Sequence, residues 1–109
     1  MSSFDDFAKK EEELATEVTK RFKKSNPNYK GSLRIAIRFG NPTEILKKFE
    51  SEPQWVEEVL DLFVDWAELE KAQIFSLYKQ DPERRPLLVL NEGSKAAWDK
   101  YYLEIIPDY

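Results

Sequence analysis

Residues 57–68 carry five carboxylates, Glu57, Glu58, Asp61, Asp65 and Glu68, at steps of one, three, four and three. At 100° per residue they fall within about 100° of one another on a helix, as a single stripe. The large apolar residues from Trp55 to Tyr78 fill an arc of roughly 220° beside it, against the ≳ 100° of an ordinary surface helix. The stripe works against itself. Glu57/Asp61 and Asp61/Asp65 are like charges at i,i+4, and Glu58/Asp61 and Asp65/Glu68 at i,i+3. At roughly 0.2–0.5 kcal/mol each, the repulsion is on the order of 1–2 kcal/mol. The helix dipole relieves Glu57 and Glu58 in the first turns and fades before Asp61, Asp65 and Glu68.

Those carboxylates call for a cation, and three kinds are available. The chain can supply its own, a basic partner protein can supply one, or a hard metal such as Mg²⁺ can bridge the acids. The metal reading, a carboxylate-metal hydrolase, needs acids on a second helix, for which Glu11–Glu13 and Glu17 could serve. Their spacing does not match the paired motifs of such enzymes closely, so no residue is assigned as a metal ligand.

The bases sit elsewhere. Residues 20–48 hold nine bases and one acid, whereas residues 49–70 hold eight acids and no base, so the net charge of −4 hides a basic block followed by an acidic one. Aromatics interleave the bases. A nucleic-acid surface would use Lys23, Lys24, Tyr29, Lys30, Arg34 and Arg38, with Tyr29 exposed in the loop Asn-Pro-Asn-Tyr-Lys-Gly for stacking on bases. Phe22 and Phe39 fall on apolar faces and read as core.

Other chemistry is closed off. The chain has no His and no Cys, which removes catalytic triads, thiolates and the usual zinc ligands. Three glycines cannot build a phosphate loop, and no cofactor is implied. The N-terminus has early acids and no apolar core of a secretory signal, and no run approaches the length of a membrane span. The expectation is a cytoplasmic protein with no membrane partner.

The elements that would position these groups are mainly helical, in one domain over residues 1–109. Phe7, Leu14, Val18 and Phe22 recur at helical spacing from a Ser3 cap, predicting a helix over 4–24. Leu33, Ile35, Ile37 and Phe39 alternate with Arg34, Ala36 and Arg38 as a strand over 33–39 does. Asn41 caps and Pro42 opens a helix over 42–51. Pro53 opens another, predicted over 54–80. Pro82 and Pro86 break the chain before a short apolar run, 87–90, that reads as a second strand or a buried linker. Trp98, Tyr101, Tyr102 and Ile105 predict a last helix over 95–106. The result is an α+β fold of four helices and two short strands, or else an all-α bundle of four or five helices. A helix over 54–80 would be roughly 40 Å long. A second copy could cover its excess, so a homodimer is a candidate assembly; a monomer would instead require the helix to break, near Glu70–Gln73, and fold back.

The function expected from these features is a small non-enzymatic interaction module, an inhibitor or accessory subunit. It would bind a larger protein with a basic surface through Glu57, Asp61, Asp65 and Glu68. Nucleic-acid binding through the basic block is the alternative.

Overall fold

The computed structural model describes residues 3–38, 40–91 and 102–106. The fold is mainly α, with a small sheet. In chain order the elements are α1 (Ser3–Ser25), β1 (Arg34–Arg38), α2 (Pro42–Ser51), α3 (Pro53–Leu69), α4 (Lys71–Gln80), β2 (Arg85–Asn91) and β3 (Tyr102–Ile106).

Helix α1 begins with Asp5 and Asp6 and ends with Lys23 and Lys24, the order its dipole favours. Its apolar stripe of Phe7, Leu14, Val18 and Phe22 is buried. Asn26 closes the helix. Its backbone N–H and its side-chain amide both donate to the Phe22 carbonyl at 2.9 Å. Asn41 caps α2 as its sequence indicates, the side-chain oxygen accepting from the Thr43 N–H at 2.8 Å.

The predicted helix over 54–80 is two helices. Glu70 separates them, with φ −97° and ψ 15°. The hydrogen bonds survive the corner, since the Glu70 N–H reaches the Trp66 carbonyl and the Ile74 N–H reaches the Glu70 carbonyl, both at 2.9 Å. The bend places Ile74 in the core and packs Phe75 and Tyr78 against Tyr29. The bend turns most of the wide apolar arc, Leu69 excepted, onto the chain's own core, and with two helices of 17 and 10 residues the length argument for a second copy no longer holds.

The sheet has three strands in the order β1-β2-β3. Strand β1 runs parallel to β2, with Arg34 opposite Leu87 and Ile37 opposite Leu90. Strand β3 runs antiparallel on the other side, with Arg85 opposite Ile106 and Val89 opposite Tyr102. The predicted helix over 95–106 is therefore overturned at 102–106, which is strand. Its remainder, with Trp98, lies outside the described residues, as does Phe39. Tyr102, Leu103, Ile105 and Ile106 fit a strand as readily as a helix, and β2 offers them a second edge of backbone partners. The all-α alternative fails for the same reason.

Strand β2 is buried on both faces, as its unbroken apolar run implies. Leu88 and Leu90 join the main core with Leu33, Ile35, Ile37, Phe63 and Trp66. Leu87 and Val89 form a second cluster with Ala36 on the opposite face.

Helix α1 also seals the outer edge of β1. The Leu33 N–H donates to Thr19 Oγ1 at 3.0 Å and the Ile37 N–H to Glu11 Oε2 at 2.8 Å. Two helical turns between Glu11 and Thr19 span about 12 Å, and four strand residues from Leu33 to Ile37 span about 13 Å. The two repeats match, so a helix face closes an edge that would otherwise present unpaired donors.

Candidate partner-binding surface

Contacts between α1 and α3 run in the same order along both helices: Arg21 meets Glu57 and Asp61, and Asn26 meets Glu68. Arg21 spreads its guanidinium over three carboxylates. Its Nε lies 2.9 Å from Glu17 Oε2, one Nη 3.3 Å from Glu57 Oε1 and the other 3.4 Å from Asp61 Oδ1. Among the described residues no group of three or more acids is arranged to hold a metal ion.

Glu68 accepts from the Asn26 side-chain amide at 2.8 Å, and Asn26 is only 4% exposed. The stripe is thereby divided. Taking Glu57 as zero, Glu68 and Asp61 fall within about 40° and face α1, while Asp65, Glu58 and Leu69 fall at about 80–120° and face away. Glu58 and Asp65 are exposed, and among the described residues neither has an ion pair or hydrogen bond. Leu69 beside them is 72% exposed, the one large hydrophobic residue so placed among the described residues. All four expected partner-binding acids thus lie on one helix. Glu57, Asp61 and Glu68 have internal partners, and Asp65 has none among the described residues. Glu58 and Leu69 join Asp65. The helical angle put Leu69 at the margin of the apolar arc, and that marginal position was its only signal.

The basic block is spread over separate elements. Lys24 and Lys30 are exposed and Lys23 is half-buried near the end of α1, whereas Arg34 and Arg38 lie on β1, roughly 13 Å apart along the strand. Arg38 is 3.6 Å from Glu11. Tyr29 is not exposed. It is 1% accessible, its hydroxyl donates to the Ser32 carbonyl at 2.9 Å, and its ring lies 5.1–5.6 Å from those of Phe22, Phe75 and Tyr78. No base can stack on it. Desolvation, with Tyr78 adding a smaller effect, pushes its hydroxyl up to about 12. The loop reads as exposed because its neighbours are polar. The turn that joins the Tyr29 N–H to the Asn26 carbonyl at 3.0 Å instead folds the ring inward, and Gly31 leaves room for it.

Beyond the Arg21 cluster, toward the N-terminus of α1, lies an open groove of about 190 Å³ lined by Lys10, Glu13, Leu14, Phe49 and Val56. Lys10 and Glu13 pair across its rim at 3.3 Å. Phe49 packs on Phe7 and Trp55, and Lys48 Nζ lies 5.3 Å from the Trp55 ring centre.

No helix among the described residues is long and apolar enough to cross a membrane. Comparison of the chain with protein families, with characterised proteins and with solved structures finds no match.

Proposed function

We propose that this chain is a small non-enzymatic interaction module, an inhibitor or accessory subunit of the cytoplasm, whose α3 binds a basic surface on a larger protein. The observation that carries the reading is the outward strip of Glu58, Asp65 and Leu69: two exposed carboxylates with no ion pair or hydrogen bond among the described residues, beside an apolar side chain 72% exposed. Asp61 and Asp65 repel at i,i+4 by roughly 0.2–0.5 kcal/mol, and the fold relieves Asp61 alone. A basic partner would relieve Asp65 and Glu58 and cover Leu69. Glu57, Asp61 and Glu68 would flank the contact and extend its negative field, which steers a basic partner toward it.

The test compares the wild type with the double variant Glu58→Gln, Asp65→Asn. Proteins captured by each from the native host are identified by mass spectrometry, and the affinity of any basic protein held only by the wild type is then measured. The variant should fold with equal or slightly higher stability and bind that protein at least about tenfold more weakly, a loss of about 1.4 kcal/mol or more. Capture sets that do not differ would refute the reading. Retention of nucleic acid by both proteins, with a steep dependence on salt, would favour the basic block instead. Self-association through α3 would appear as a dimer that the double variant strengthens.

A further inference from the structure

We infer that the groove between α1, α2 and α3 takes a large apolar side chain from the partner, flanked in that partner by lysine or arginine; this rests on the reading of α3 as an acidic binding face. The groove floor is Leu14, Phe49 and Val56, and its volume is about 190 Å³. Engineered apolar cavities of about 150 Å³ hold a benzene ring, so an aromatic or leucine side chain fits. The two sides are acidic. Glu13 borders the groove on α1 and Glu57 follows Val56 on α3, each 59% exposed, with Glu17 and Asp61 one turn further along their helices. Lys10 and Arg21 are the bases among them, already paired to Glu13 and to the Glu17–Glu57–Asp61 group. Lys48 of α2, over the Trp55 ring beside Phe49, is a third base, and four acids against three bases leave this border negative. An apolar side chain seated in the groove brings its neighbours over those carboxylates, and basic neighbours are the ones they attract.

A second copy of the chain does not supply such a segment from its described residues. Its basic stretches bury Phe22 in α1 and Ile35 and Ile37 in β1. Beside Lys47 and Lys48, Leu46 and Phe49 are half-buried, and Phe49 packs on Phe7 and Trp55 and lines the groove itself. Its exposed Leu69 lies between Glu68 and Glu70, so docking it would set acid against acid. With no such segment among the described residues, the occupant we infer is a different protein with an apolar anchor in a basic setting. Aromatic anchors surrounded by water-excluding contacts hold most of the binding energy at such interfaces.

Two blocked pentapeptides serve as probes, one with tryptophan between two pairs of lysines and one with glycine in its place. Each is titrated into the isotope-labelled full chain at about 0.01 M salt, where charges act over about 30 Å. The tryptophan peptide should bind at least about tenfold tighter and shift the amides of Leu14, Phe49 and Val56. Val56→Phe, which fills the groove, should remove that advantage while the glycine peptide binds as before. Equal affinity of the two wild-type complexes, with shifts confined to Glu57–Leu69, would overturn the groove and leave the acidic face standing. Tighter binding of tryptophan with shifts away from the groove would also overturn it. Failure of both peptides to bind would overturn the groove and the acidic-face reading together. The wild-type comparison stands whether or not the filled variant folds.

Discussion

Replacing Arg21 by methionine tests the account of how α3 is held. Methionine keeps an apolar stem and a similar helix propensity, so the substitution removes little but the guanidinium. Three contacts go with it, at 2.9 Å to Glu17, 3.3 Å to Glu57 and 3.4 Å to Asp61. Exposed ion pairs contribute about 0.2–1 kcal/mol each, and an i,i+4 pair such as Glu17–Arg21 about 0.3–0.5. The unmasked repulsion between Glu57 and Asp61 adds roughly 0.2–0.5 kcal/mol. The expected loss is about 1–3 kcal/mol at low salt. Urea denaturation followed by circular dichroism measures it, at about 0.01 M salt and again at about 1 M, where the screening length falls to about 3 Å. High salt should remove most of the loss. A sharper sign follows from Asp61→Asn. It should stabilise more in the methionine background than in the wild type, because without the guanidinium Asp61 only repels Glu57, Glu58 and Asp65. An Arg21→Met protein as stable as the wild type at low salt, or equally weakened at both salts, would refute the reasoning.

Three other outcomes follow from the fold. Burial holds the Glu11 carboxyl above its ordinary range against the opposing pull of the Ile37 N–H, Arg38 and Arg34. The folded state thus keeps this proton longer than the unfolded chain. The stability it gives is present below the unfolded value of about 4.3 and lost as pH rises through the folded one. The advantage of Glu11→Gln over the wild type, read from urea midpoints, should grow with pH across that range. Gly31→Ala should cost about 1–3 kcal/mol by overpacking, since its Cβ would lie 2.8 Å from the Tyr29 hydroxyl, itself tied to the Ser32 carbonyl; thermal unfolding measures this. Light scattering at micromolar concentration should give a monomer of 12.9 kDa, because the bend at Glu70 returns most of the apolar arc to its own core.

Helix starts were legible because their signals are local. Asn41-Pro42 and Pro53 specify α2 and α3 whatever the rest of the chain does, and the alternation from Arg34 to Arg38 specifies β1. The bend at Glu70 had no such signal. Residues 66–74 contain no Gly or Pro, and packing of Trp66, Ala67 and Ile74 overrides their helical preference. Residues 102–106 fit either period, and only the free edge of β2 decides between them. The acidic stripe was readable from spacing, but its division was not. Arg21 and Asn26 lie 36–42 positions from the acids they bind, and helix–helix packing, not spacing, selects those pairs.

The seal that Glu11 and Thr19 place on β1 bears on the order in which the chain folds. Its two bonds close loops of 14 and 26 residues, whereas β1 meets β2 only after the whole of α2, α3 and α4 has intervened. Loop-closure entropy favours the shorter loops. A helix–strand hairpin of α1 and β1 can therefore set the position of β1 before its parallel partner arrives, so the slow, non-local pairing docks onto a strand already held in place. In that case Thr19→Val slows folding and leaves unfolding almost unchanged, and α1 acts as the template on which the sheet is nucleated.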